Sequence, residues 1–325
     1  PETRIQQAKL AQDAGIEGFC YYHYWFGNGR QLLERPFNEV VSTGEPDFPF
    51  CICWANHTWS NKTWESKSAM QKDSILIKQE YPGTEDDVAH FMSLLPAFKD
   101  HSKLLFVIYS VFDFPHIDRF IETWRKLADK HGLPGFHFVG MTPSTLTFKI
   151  GEDGKPIRTI PNLKSSKEIY ETVLNMGFDA VNSLGKRRGE MLYEGKWKNL
   201  IKTGMRHFGL SIGSQKYDYK RTVANYFAPE DSWENVYPTI LPQWDRTPRV
   251  ASQDGVYINA TPKEFEQHIL QAKEIIKNKE KEHQILFLKS WNEWGEGNYV
   301  EPDEQYGHGF LDAISNAIKD KNEKL

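Results

Sequence analysis

The sequence is short of several things, and each shortage removes a class of function. No run approaches the ~20 consecutive apolar residues that a membrane-spanning helix needs, and mean hydropathy is only −0.61. Charge of one sign is also lacking: 40 basic side chains face 44 acidic ones, a net of −4, and the lysines and arginines are spread along the chain. Neither a nucleic-acid footprint nor an acidic tail is indicated. The one compact basic group, Lys186-Arg187-Arg188, is expected to be a solvated loop. Cysteine is scarce. Cys20, Cys51 and Cys53 fall in apolar, strand-like runs, and the Cys-x-Cys has no partners of the kind a zinc site requires, so buried free thiols are expected. No glycine-rich phosphate loop follows an early strand, and no Asp-x-Asp follows any strand. No metal or organic cofactor is therefore expected. The chain opens Pro1-Glu2-Thr3 without an initiator methionine, which leaves a leader upstream open.

Aromatic residues are what the chain has in quantity. Ten Trp, 14 Tyr and 20 Phe make up 14% of its 325 residues, and many gather where apolar runs end. Those runs alternate with segments of helical periodicity. Strands are expected to start near residues 18, 49, 104, 136, 178, 236 and 285. Helices are expected over 3–14, Arg30–Val41, from Thr84, over His116–Lys130, Ser166–Met176, Trp197–Phe208, from Thr261 and over His308–Lys319. Thr84 is read as a helix cap. Thr261-Pro262-Lys263-Glu264 carries a capping box with proline at the first helical position. Asn61 to Asp73 reads as a polar excursion, and Gly151-Glu152-Asp153-Gly154 as a hairpin-like insert.

Strands alternating with helices imply parallel crossovers. The expected fold is an α/β, TIM-like (β/α)8 barrel in a single domain spanning 1–325, with its first strand upstream of Pro1; a doubly wound open sheet is the runner-up. In such a barrel the C-terminal strand ends share one face, where active sites sit. Those ends carry His23 and Trp25; Trp54, Asn56, His57 and Trp59; Tyr109; Trp244 and Asp245; and Asn292, Glu293, Trp294 and Glu296. The densest stretch is Lys289-Ser290-Trp291-Asn292-Glu293-Trp294-Gly295-Glu296-Gly297, after the buried run Ile285–Leu288. If its loop turns helically, Glu293 and Glu296 come onto one face, with Cβ atoms roughly 5–6 Å apart. A retaining glycosidase pair has its carboxyls roughly 5–5.5 Å apart. Flat tryptophan faces suit sugar rings, and amides and histidines suit hydroxyl recognition.

Four motifs, Gly18-Phe19-Cys20-Tyr21-Tyr22-His23-Tyr24-Trp25-Phe26, Phe50-Cys51-Ile52-Cys53-Trp54-Ala55-Asn56, Trp244-Asp245-Arg246-Thr247-Pro248-Arg249 and Trp291-Asn292-Glu293-Trp294-Gly295-Glu296-Gly297, together resemble the WbsX-type glycosyltransferase family. That family is itself similar to glycoside hydrolase family 99, the endo-α-mannosidases and endo-mannanases. The resemblance covers almost the whole chain, in order. It implies a (β/α)8 barrel, an oligosaccharide or polysaccharide substrate, and a place in bacterial surface-polysaccharide work, hence a cytoplasmic location. Glu293 matches the carboxylate that deprotonates the sugar's own 2-hydroxyl, and Glu296 matches the general acid/base. His57 stands where the family usually has a glutamate, and the family's Pro-Gln-Phe-His-like first strand end has no counterpart here. The expected function is retaining glycosyl transfer or hydrolysis. The alternatives are a nucleotide-sugar-dependent glycosyltransferase, with Lys186-Arg187-Arg188 as candidate diphosphate contacts, and a non-catalytic glycan-binding protein on a hydrolase scaffold. No nucleic-acid partner is expected, and oligomeric state stays open.

Overall fold

A computed structural model describes residues 2–60, 74–98, 104–142, 148–150, 156–158, 165–195, 215–250 and 255–319. The polar excursion at Asn61 to Asp73, the insert at 151–154 and the helix expected at Trp197–Phe208 lie outside them. The chain forms two compact units: Pro1–Ala8, Glu17–Trp59 and Ile77–Ser183 in the first; Lys9–Ile16, Ser60–Leu76 and Leu184–Leu325 in the second.

In the first unit the apolar runs become a parallel sheet. Phe19–Trp25 pairs with Phe50–Trp54, in register from Phe19↔Phe50 to His23↔Trp54. Leu104–Ile108 follows (Ile52↔Phe106), then Phe136–Met141 (Leu104↔Phe136) and Ala180–Ser183 (Val139↔Ala180). Leu104–Ile108 and Ala180–Ser183 bury nearly every residue, as strands covered on both faces do, and Leu104–Ile108 accordingly reads as a continuous apolar run, whereas Phe19–Trp25 leaves Tyr22 exposed. Helices Thr84–Phe98 and Ile117–Lys130 cover one face. Their meeting point is Trp124, fully buried, with the rings of Phe106 and Phe120 each 4.7 Å away and Phe91 5.5 Å away. Its indole N–H, which burial would otherwise orphan, donates to the Asp87 carbonyl at 3.0 Å.

Two boundaries differ from expectation. Thr84 is itself the first helical residue rather than a cap. The helix expected from Arg30 starts instead at Arg35, because Pro36 is tolerated only in a first turn. The freed Gln31–Leu32 pairs antiparallel with Tyr24–Trp25. That helix runs to Thr43, past the expected end at Val41, and closes on Gly44, which at φ 71° donates its N–H to the Val40 carbonyl at 2.9 Å.

The second unit holds the remaining two expected strands, Val236–Ile240 and Phe287–Leu288, paired in parallel. Helices Pro262–Ile276 and Gly309–Ile318 pack through Phe265, Ile269, Ala272, Phe310, Leu311 and Ile314, all buried. Ile318, expected to face inward, is instead exposed. Thr261 caps as its motif requires, its hydroxyl accepting the Glu264 N–H at 3.3 Å. A further parallel pair, Gln215–Asp218 with Gly255–Ile258, has no counterpart among the expected strands. Lys186-Arg187-Arg188 is not a solvated loop: it opens the helix Lys186–Glu194, and Lys186 is buried. All seven expected strands are present, and the fold is α/β with predominantly parallel pairing.

Candidate active site

The Phe287–Leu288 strand leads into a loop whose shape is set by short-range bonds. Ser290 anchors it, its hydroxyl donating to the Asn298 carbonyl at 2.7 Å and accepting the Glu293 N–H at 3.1 Å. Asn292–Glu293 then pairs antiparallel with Asn298–Tyr299, and the four residues between make a tight turn. Gly297 closes it at φ 52°, where a Cβ would also meet the Asp245 carbonyl at 2.9 Å. Glycine is required there on both counts. The turn brings Glu293 and Glu296 together, as a helical bend would.

The second strand of the unit supplies their partners. After Val236–Ile240 the chain reaches Asp245, whose N–H donates to the Glu296 carbonyl at 2.8 Å. Its carboxylate accepts from the Thr247 N–H and hydroxyl at 2.8 and 2.6 Å, which shapes the turn carrying Arg246 and Arg249. Arg249 spans both glutamates: Nη2 lies 3.0 Å from Glu293 Oε1, and Nη1 3.1 Å from Glu296 Oε1. Arg246 Nε adds a second cation, 3.2 Å from the same Glu296 oxygen. Glu293 keeps 39% side-chain exposure and Glu296 only 16%, so one carboxylate is open to solvent and the other is set back.

Aromatic faces border this group. Trp294 is exposed, yet it is fixed. Its ring stacks on Tyr299 at 3.6 Å and 14°, and its N–H donates to Glu301 Oε2 at 2.7 Å. The other Glu301 oxygen accepts the Trp291 N–H at 3.1 Å, so one carboxylate aligns two indoles. Asn292 is exposed; Trp244 is buried, with the Lys186 ammonium 4.5 Å from its ring centre. Lys186 also pairs with Glu190 at 2.7 Å.

The remaining expected site residues belong to the first unit, and most are tied internally. His23 and His90 bring their Nε2 atoms to 2.9 Å, both buried. Burial pushes His23 down to about 4 and His90 well below the usual histidine value. Trp25 donates to Asp86 at 3.0 Å, and Trp54 donates to the Trp25 carbonyl at 2.9 Å. Asn56, fully buried, accepts the Ser110 N–H at 2.7 Å and donates to the Ser110 carbonyl and the Tyr81 hydroxyl at 3.1 and 3.0 Å. His57, Trp59 and Tyr109 remain partly exposed. Burial lowers His57 to about 4, and its ring lies 5.2 Å from Tyr109.

Sequence reasoning assigned no role to Arg246, Arg249 or Glu301, and gave Lys186 only that of a candidate diphosphate contact. The signal for the first two was present, since both stand in the Trp244–Arg249 motif. Among the described residues, three metal-donor atoms also come within 4.8 Å at Glu234, Glu280 and His283. These already serve the loop, through Tyr237 Oη to His283 Nδ1 (2.8 Å) and Glu280 N–H to Glu234 (2.9 Å). No helix among the described residues is long and apolar enough to cross a membrane.

Comparison with known proteins gives a family match over residues 1–314, to the model described as Glycosyltransferase WbsX. The chain is also similar to the "Uncharacterized protein WxcX" of two strains of Xanthomonas campestris pv. campestris, at 24% identity over 330 aligned positions in each case. The alignments cover 98% of this chain and 41% of those relatives, so the chain spans well under half their length.

Proposed function

The chain belongs to the WbsX glycosyltransferase family, and from that premise we propose that it performs retaining glycosyl transfer or hydrolysis in bacterial polysaccharide biosynthesis or processing. The observation that carries this reading is the convergence of Glu293 and Glu296 on one guanidinium. The two atoms of that fork lie on one small planar group, so the carboxylates are near neighbours, as a retaining pair must be. The fixed, exposed Trp294 beside them supplies a surface on which a sugar ring can stack.

In the proposed mechanism Glu293 takes the proton of the sugar's 2-hydroxyl, and that oxygen attacks the anomeric carbon. The glycosidic bond breaks, and its oxygen takes a proton from Glu296. The resulting anhydro-sugar is opened when Glu296 removes a proton from water or an acceptor hydroxyl, which attacks the same carbon. The 2-oxygen then recovers its proton from Glu293. Two inversions give net retention. Closure of the parallel strands into one (β/α)8 barrel, a cytoplasmic location, and sugar contacts from Asn292, Asp245, His57, Trp59 and Tyr109 belong to the same proposal. His23, Trp25, Trp54, Asn56 and Trp244 are included as supports, since burial leaves them little surface for direct contact.

The ion pairs of Arg249 favour a second reading. A guanidinium between two carboxylates is also how a non-catalytic, glycan-binding scaffold would neutralise them. The two readings part on turnover of end-labelled oligosaccharides and of aryl glycosides with activated leaving groups. If the pair is catalytic, Glu293→Gln abolishes turnover of both substrates. Glu296→Gln loses the oligosaccharides but still releases the activated aryl group, which leaves without protonation. Glycan binding by the parent without any turnover, unchanged in both variants, would establish the binding scaffold instead.

A further inference from the structure

The glycine between the two glutamates is not demanded by its backbone, because Gly295 lies outside the left-handed region where side chains are strained. Space is what demands it. A Cβ at position 295 would stand 2.9 Å from Arg249 Nη2, 3.3 Å from Arg249 Cζ and 3.2 Å from Glu293 Oε1. The missing side chain thus forms a notch, and the Arg249 guanidinium fills it while reaching both carboxylates at 3.0 and 3.1 Å. A longer cation arriving from elsewhere could pair with Glu293 or Glu296 singly. Spanning both requires a planar fork seated over the residue between them.

From this seating we infer that Arg249 is the positioning residue of the carboxylate pair, and that Gly295 is the seat that admits it. This rests on the catalytic reading of Glu293 and Glu296. Two carboxylates brought this close repel, and the backbone bonds that shape the loop, through Ser290, the hairpin and Asp245, do not set their side-chain separation. Arg249 does both jobs at once: it offsets the repulsion and holds one oxygen of each carboxylate at a fixed distance, leaving their second oxygens for the substrate. Arg246 meets Glu296 at the same oxygen through its Nε, whereas the fork across both glutamates is that of Arg249.

Arg249→Ala should lower kcat about 100-fold, the scale of a misplacement on the order of 1 Å, while KM changes less than about threefold. Arg249→Lys should restore only part of the loss, because a point charge cannot fork. Guanidinium ion at non-denaturing concentration should rescue Arg249→Ala by about tenfold or more, and urea, of similar shape but uncharged, should not. The deciding variant is the double Gly295→Ala/Arg249→Ala, whose added methyl occupies the seat: guanidinium should not rescue it. Equal rescue of single and double variants, or a loss confined to KM, overturns the inference. Should the parent show no turnover, the catalytic reading fails while the seat stays open to test by crystallography. Guanidinium soaked into Arg249→Ala crystals should occupy the notch, and the Glu293–Glu296 carboxyl separation should widen without it. An empty notch or an unchanged separation counts against the seat itself.

Discussion

Two regions of this molecule looked alike as sequence and differ as structure. The strand ends of the first unit and the loop after the last strand of the second both concentrate aromatics with polar side chains. In the first unit those groups turn inward. His23 pairs with His90, Trp54 with the Trp25 carbonyl, Trp25 with Asp86 and Asn56 with Ser110 and Tyr81, and burial keeps the histidines neutral. In the second unit the polar groups are charged, partly exposed and held in tension between opposite signs. Neutral rings and amides can be taken into a core at modest desolvation cost once most of their donors have acceptors. A carboxylate pair cannot be buried that way, so it stays near solvent with its counter-ions. On the proposed reading, the first group supports and the second reacts.

That contrast can be broken by substitution. The largest effect is expected at Asn56. Asn56→Ala removes the side-chain partner of the Ser110 N–H and carbonyl and one of the two bonds of the Tyr81 hydroxyl, which still donates to the carbonyl of residue 56, at roughly 1–3 kcal/mol for each group left unsatisfied. A loss of about 4 kcal/mol in chemical denaturation is the expected result; a loss under about 1 kcal/mol would show that Asn56 is not a structural element.

Next comes acid. With the folded-state value of His23 lowered to about 4 and an unfolded value near 6.5, the unfolded chain binds more protons between those limits. Stability is therefore full above about pH 6.5 and falls as the pH drops toward 4. At 1.36 kcal/mol per pH unit the loss for His23 is about 3 kcal/mol. A His23→Gln variant should flatten that slope in melts between pH 7 and 4; an unaltered slope would place the acid sensitivity elsewhere.

Smaller effects are expected in the second unit, and on a different axis. Glu301→Gln keeps one acceptor and loses the charge-assisted alignment of Trp291 and Trp294, so it should cost about 1 kcal/mol of stability. It should also raise the KM for oligosaccharides. Trp294→Ala, at an exposed position, should change stability by less than about 0.5 kcal/mol. Loss of its face should weaken glycan binding about tenfold, equivalent to 1.4 kcal/mol. If Trp294→Ala lowers the melting temperature strongly and leaves glycan binding intact, the two regions are not the opposites proposed here.

Much of this was legible in the chain. The parallel strands announced themselves as apolar runs such as Leu104–Ile108, because burial on both faces removes alternation. Thr261 and Pro262 marked a helix start, because capping is local chemistry. The convergence of Glu293 and Glu296 followed from three-residue spacing and a turn.

Tertiary structure alone decided who meets whom. Arg249 reaches Glu293 and Glu296 across 44 and 47 residues, and His23 reaches His90 across 67. Lys186 looked solvated beside two arginines and came to lie buried against Trp244. Gly295 was one residue of a motif in the chain, and in the fold a Cβ there would stand 2.9 Å from Arg249 Nη2. Backbone periodicity acts over a few residues and is written in order along the chain. Charge pairing and the sharing of space depend on distances that exist only once strands far apart in sequence have been brought side by side.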